Sequence, residues 1–154
     1  MFTLRAAKRE DLARNFEIWR TSVLATHQFL SAEDFDEISE LVEKSYLPTA
    51  DFTVAVDADD TAHGFMGTTG DHVDALFVHA ESRGQGIGQL LLHSFLATRS
   101  EATVDVNEQN ASAKGFYEAM GFDQQGRSDT DSEGRPYPIL HMRWRRERDP
   151  TGKT

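Results

Sequence analysis

The chain has 154 residues, no cysteine and a formal net charge of -10, with 16 Lys and Arg against 26 Asp and Glu. The missing thiols exclude disulfides, a cysteine nucleophile and a cysteine-built zinc site. The acidic balance argues against a broad nucleic-acid face, which needs clustered cations to neutralise phosphate. No apolar run approaches the roughly 20 residues of a membrane span, and Met1 to Arg5 open the chain without a secretion signal, so a cytoplasmic protein with no membrane partner is expected. The length suits one domain over 1–146, with a disordered tail over 147–154. Arg143, Arg145, Arg146 and Arg148 run against the acidic average and read as a solvated strand end and tail.

Thr3 to Ala6 reads as a short strand. From Glu10 to Ala25, Leu12, Phe16, Trp19 and Val23 recur at helical spacing. Ser31, with Asp34 three residues on, is a capping-box-like start for a second helix, which runs past Phe35, Ile38 and Leu41 to about Tyr46 and is ended by Pro48. Phe52 to Val56, Ala62 to Thr69 and His72 to Val78 are three closely linked strands, which implies an antiparallel meander. A helix from Ile87 to Arg99 leads to a strand over Thr103 to Val106, expected to lie parallel to the one ending at Val78. Ala113, Phe116, Tyr117 and Met120 mark a short helix stopped by Gly121. A strand then begins at Phe122, and a last one spans Tyr137 to Trp144 with Pro136 and Pro138 near its start.

The chain turns on the segment between the third meander strand and the helix that follows it. Arg83-Gly84-Gln85-Gly86-Ile87-Gly88 puts glycine at alternate positions. Such a bend exposes main-chain N–H groups at a helix N-terminus, which favours an anion such as phosphate. Arg83 adds a charge-assisted donor. A tight connection without a ligand is the plain alternative. A dinucleotide fingerprint needs G-x-G-x-x-G, whereas the spacing here is G-x-G-x-G behind a meander, although Asp105 stands at about the distance of a ribose-binding acid. Thr151-Gly152-Lys153-Thr154 echoes the end of a P-loop but lacks its earlier glycine.

Two motifs together carry a resemblance. Arg83 to Gly88 resembles the R/Q-x-x-G-x-G/A signature of the GNAT superfamily of N-acetyltransferases. Asn110-x-x-Ala113-x-x-Phe116-Tyr117-x-x-x-Gly121-Phe122 is similar to its second signature. Thr26 to Glu33, Val106 to Asn110 and Gly134 to Pro138 further resemble the YjaB-type acetyltransferases of bacteria. The resemblance implies a mixed α/β fold, a mostly antiparallel central sheet of six to seven strands flanked by four helices. It implies acetyl-CoA as co-substrate and an amine acceptor, either a small molecule or a peptide. The amides of Arg83, Gly84, Gln85, Gly86, Ile87 and Gly88 would hold the diphosphate. Leu76, Phe77 and Val78 would pair with the pantetheine arm as an added strand. Asn107 and Asn110 would contact the coenzyme, and Tyr117 would protonate the departing thiolate. Ala80 stands where many relatives carry proline.

The acceptor side is read from residue type. His27, His72, Asp74 and His141 are candidate bases. His27 lies between the first two helices, where the family builds its acceptor pocket, and Phe29 and Leu30 would wall it. His72 and Asp74 share a strand face by alternation. His63 and His93 read as surface or helix-packing residues, and no histidine–carboxylate set forms a metal motif. The expected protein is an N-acetyltransferase working by direct attack in a ternary complex, as a monomer or homodimer. A non-catalytic acyl-CoA sensor and a toxin-like aminoacyl-tRNA acetyltransferase are the alternatives.

Overall fold

The structure, a computed structural model, describes residues 1–146. The expected tail over 147–154, Arg148 and the P-loop echo lie outside the described residues. The chain divides into two compact units, one of Met1–Thr68 with Ala75–His93, the other of Thr69–Asp74 with the chain from Ser94 onward.

In the first unit, β1 (Thr3–Ala6) pairs antiparallel with β2 (Phe52–Val56), and β2 pairs antiparallel with β3 (Ala62–Thr69). Helix α1 spans Leu12–Thr26. It starts later than expected because Asp11 is taken up elsewhere. Its carboxylate accepts from Lys8 N at 2.7 Å and from both terminal nitrogens of Arg5 at 2.8 and 3.1 Å, so Arg9–Asp11 form a separate 3-10 turn. Helix α2 (Ala32–Leu41) is capped as its sequence suggests, Ser31 Oγ accepting from Asp34 N at 3.1 Å. Pro48 does not end the helical path. The chain widens into a π turn over Val42–Tyr46 and makes one more turn, Leu47–Thr49, in which Pro48 occupies a first-turn position. There its missing N–H costs no intrahelical bond. The core gathers Ile18, Trp19, Val23, Phe52, Val54 and Phe65. Trp19 stacks on Phe16 and Phe35, with centroids at 5.9 and 5.8 Å, which ties α1 to α2. Each large side chain buried there contributes about 1.5–3 kcal/mol.

Strand β4 (His72–Val78) belongs to both units. In the second unit its first residues pair in parallel with β5 (Glu101–Asn107), as expected, through His72↔Thr103 and Val73↔Val104, and the ladder ends at Val73. β5 then pairs antiparallel with β7 (Ile139–Arg145), and β7 with β6 (Asp123–Ser128). Period-2 alternation sorts the faces: Ala102, Val104, Val106, Leu140 and Met142 are buried, and Thr103, Asp105, His141 and Arg143 lie on the other face. The last strand starts at Ile139, because Pro136 and Pro138 lack a ladder donor.

Helix α3 is Ile87–Leu96 and α4 is Ala111–Ala119. The expected run of α3 to Arg99 is cut short. The Arg146 guanidinium donates to the carbonyls of Leu96, Ala97 and Arg99 at 2.8, 3.3 and 3.0 Å, so a cation covers the negative end of the helix. Arg143 donates to Glu101 at 2.6 Å. Both arginines are therefore engaged, which corrects their reading as a solvated tail. Among the described residues the strand order is β1-β2-β3-β4-β5-β7-β6, a seven-stranded, mostly antiparallel open sheet, with four helices besides the Leu47–Thr49 turn.

Candidate active site

The glycine bend sits in the first unit between two buried anchors, Ser82 at 5% and Ile87 at 2% exposure. Arg83, Gly84, Gln85 and Gly86 between them are exposed. Gly84 and Gly86 have φ of +83° and +79°, and a Cβ built at either meets no heavy atom within 4 Å. Glycine is thus required by the left-handed backbone and not by crowding. Leu90 N donates to Gly86 O at 2.9 Å, the first intrahelical bond of α3. The amides just after Gly86 then have no partner within the helix. Upstream, the burial of β4 stops alternating, and Leu76, Phe77 and Val78 are all half-buried.

His27 follows α1 directly, its ring 5.2 Å from Phe29. Thr26 Oγ1 donates to Ser22 O at 2.7 Å, which uses its only hydrogen. The 2.8 Å contact from Thr26 Oγ1 to His27 Nδ1 must then be a donation from the ring, leaving Nε2 as an acceptor. Burial pushes the imidazole down to about pKa 4. The stability consequence has a fixed sign. The unfolded chain takes a proton here near pH 6.5 and the folded one only near 4, so this contribution is complete above pH 6.5 and is lost as pH falls towards 4. The melting temperature is expected to drop over that window, and the drop should be shallower in His27→Asn, as acid melts followed by circular dichroism would show.

In the second unit, Asn110 is buried and caps α4, its Oδ1 accepting from Ala113 N at 3.1 Å. Asn107 O accepts from Asn110 N at 2.9 Å, closing the turn before the helix. Tyr117 is buried between Phe116 and Phe122, with ring centroids at 5.1 and 5.3 Å. Burial pushes its phenol well above the ordinary range, which keeps it protonated at every physiological pH.

The open face of this unit carries a polar chain that the sequence only hinted at. Asp105 accepts from His141 Nδ1 at 2.7 Å, and His141 Nε2 meets Ser128 Oγ at 2.7 Å. His72 Nδ1 meets Thr103 Oγ1 at 2.7 Å, with its Nε2 3.7 Å from Asp105. His72, Thr103, Asp105 and His141 line an open cavity of about 300 Å³. Asp74 shares no such partner; its carboxylate accepts from Thr69 Oγ1. His72 and Asp74, two apart on β4, thus have separate partners. His93 is exposed on α3. His63 is not the surface or packing residue expected, since it is hydrogen-bonded on both ring nitrogens. Among the described residues no histidine–carboxylate group could hold a metal ion, and no helix is long and apolar enough to cross a membrane.

The glycine bend of the first unit and the Asn-capped tyrosine helix of the second are the stretches that carry acyltransferase-like motifs. The family model for the acetyltransferase (GNAT) domain matches residues 23–145. The chain belongs to this family of acetyltransferases, enzymes that take acetyl-CoA as co-substrate. Among its relatives, the peptidyl-lysine N-acetyltransferase YjaB of Salmonella typhimurium is 46% identical over 92% of this chain and 97% of that protein. The solution structure of apo-form YjaB from Escherichia coli superposes with a TM-score of 0.89 at 43% identity, covering 94% of this chain and 97% of that one. PaiA N-acetyltransferase from Thermoplasma acidophilum, solved in complex with coenzyme A, shares the fold with a TM-score of 0.76 at 22% identity, over 95% of this chain and 99% of its own.

Proposed function

We propose that residues 1–146 act as one domain, in the cytoplasm, transferring an acetyl group from acetyl-CoA to the side-chain amine of a peptide lysine. The observation that carries this reading is the exposed bend from Arg83 to Gly86, left-handed at two glycines and leading into the first amides of α3, which have no acceptor within the helix. The names of the YjaB relatives support lysine as the acceptor. The amides from Arg83 to Gly88 hold the diphosphate, and Leu76, Phe77 and Val78 pair with the pantetheine arm. A main-chain N–H of Phe77 or Val78 polarises the thioester carbonyl, a donor worth about 2.7–4 kcal/mol in the transition state. His27 Nε2 receives a hydrogen from the incoming amine, with Phe29 beside it. His72 and Asp74 meet the peptide. The amine nitrogen bonds to the carbonyl carbon, the C–S bond breaks, and the thiolate takes its proton from Tyr117.

Asn107 and Asn110 complete the coenzyme site. Asn110 does two jobs with two atoms: Oδ1 caps α4, which leaves the side-chain NH2 for the coenzyme. Asn110→Ser keeps the cap and loses the amide donor. It is expected to melt near the wild-type temperature with a raised KM for acetyl-CoA, whereas Asn110→Ala should also lose about 1 kcal/mol of stability. Kinetics beside thermal melts separate the two. The function itself is tested by incubating the protein with acetyl-CoA and lysine-containing peptides, following free coenzyme A and peptide mass. Multiple turnovers with acetyl-lysine formed are expected. Saturable binding without turnover would instead favour an acyl-CoA sensor.

A further inference from the structure

The segment leading into the glycine bend is held by a hydrogen-bonded chain that the acetyl-transfer reading leaves unused. Asp57, at the end of β2, is its fixed point. Asp57 Oδ1 accepts from the amides of Asp59 and Thr61 at 2.9 and 3.0 Å, which locks the β2–β3 turn. Its other oxygen, Oδ2, accepts from His63 Nε2 at 2.8 Å. In the neutral imidazole this assigns the ring hydrogen to Nε2, since a carboxylate only accepts. His63 Nδ1 then accepts from Ser82 Oγ at 2.7 Å. Ser82 is buried at 5% exposure and is the residue immediately before Arg83.

The backbone repeats the attachment. His79 N donates to His63 O at 2.8 Å, and Ser82 N donates to His79 O at 2.8 Å. His79 is itself buried, and its Nδ1 accepts from Glu81 N at 3.1 Å. From the other side, Ala80 N donates to Thr21 Oγ1 of α1 at 3.2 Å. At the far end of the bend, Ile87 is buried against Gly64, where an added Cβ would stand 2.7 Å from Ile87 Cγ2. Gly64 is the neighbour of His63 on β3. Two consecutive residues of one strand therefore fix both ends of the bend, Ser82 through the His63 ring and Ile87 through the space left at Gly64. The four residues between are exposed, and Gly84 and Gly86 among them are left-handed with open space where a side chain would stand.

We propose that His63 is a positioning residue for coenzyme binding, holding Ser82 so that the Arg83–Gly88 amides keep an anion-binding arrangement before the ligand arrives. This rests on the reading of that bend as the diphosphate site. The physical argument is preorganisation. An exposed bend, left-handed at Gly84 and Gly86, would otherwise have to be ordered by the ligand at the expense of affinity. The Asp57–His63–Ser82 chain sets its direction during folding instead. The effect falls on binding and not on the chemical step, because the chain ends at the bend.

The test uses the full chain with acetyl-CoA as probe, measured by calorimetry and steady-state kinetics. His63→Phe keeps the ring and removes both hydrogen bonds; Ser82→Ala removes one oxygen from an otherwise unchanged backbone. Each is expected to raise the dissociation constant and the KM for acetyl-CoA about tenfold, as the loss of one net hydrogen bond would, with kcat near wild type. The double variant should be no worse than His63→Phe alone, since both act through one chain. His93→Ala, exposed on α3, serves as the control and should change nothing. If wild type binds and both variants bind equally well, the positioning role is wrong and the diphosphate reading stands. If wild type itself does not bind acetyl-CoA, the diphosphate reading fails first. A fall in kcat equal to the rise in KM would also overturn the positioning role.

Discussion

Gly86→Val is expected to weaken acetyl-CoA binding about a hundredfold while leaving the fold intact. At φ of +79° a β-branched residue is strained, by roughly 1–2 kcal/mol. A Cβ there would meet no heavy atom within 4 Å, so the strain comes from the backbone angle alone and is relieved by relaxing to negative φ. Relaxation turns the neighbouring amides away from a common centre. Hydrogen bonds to a charged phosphate are worth about 1.5–3 kcal/mol each, so two lost bonds account for two decades or more. Gly64→Ala provides the contrast. Its Cβ would lie 2.7 Å from Ile87 Cγ2 and 3.1 Å from Phe77 O, in a packed interior. It should cost about 1–3 kcal/mol of stability. Calorimetric titration with thermal melts on both variants distinguishes a glycine needed for its backbone angle from one needed for its missing side chain.

Tyr117→Phe is expected to lower kcat by about 10²–10⁴-fold, the usual range for a positioned general acid, with acetyl-CoA binding nearly unchanged. The phenol is buried and its pKa is raised, so it stays protonated whatever the assay pH, and no basic limb from this group should appear below pH 10. The ring packing against Phe116 and Phe122 survives the substitution. A sharper version uses an acetyl donor whose thiolate is stable without a proton, such as an aryl thioester. The gap between wild type and variant should shrink with that donor, because less protonation of the leaving sulfur is needed. Equal losses of binding and turnover with either donor would remove the acid role.

The sequence disclosed those features that local chemistry determines. The strands of the meander follow from period-2 alternation and β-branched residues. The bend follows from glycines at positions that prove left-handed. Ser31 and Asn110 cap their helices through acceptors three residues from the amide they serve. What stayed hidden depends on partners far along the chain. Pro48 reads as a stop, yet the π turn before it puts it into a new first turn. His63 reads as a surface residue because neither Asp57 nor Ser82 is marked by any spacing rule. Arg146 looks like part of a solvated basic run until the end of α3 is seen to need a donor. Asp105 matched a ribose-binding acid by distance alone, and the structure instead gives it to His141.

The central claim is that the main-chain donors of the Arg83 to Gly88 bend grip the coenzyme's diphosphate. A titration of the isotopically labelled protein with acetyl-CoA, read by amide ¹H–¹⁵N chemical shifts, tests it most directly. The account predicts that the amides of Gly84, Gln85, Gly86, Ile87 and Gly88 move most, saturate with the same dissociation constant as the calorimetry, and stay still when the acetyl donor lacks the nucleotide diphosphate. Saturating shifts confined to other segments, with the bend unmoved, would contradict it.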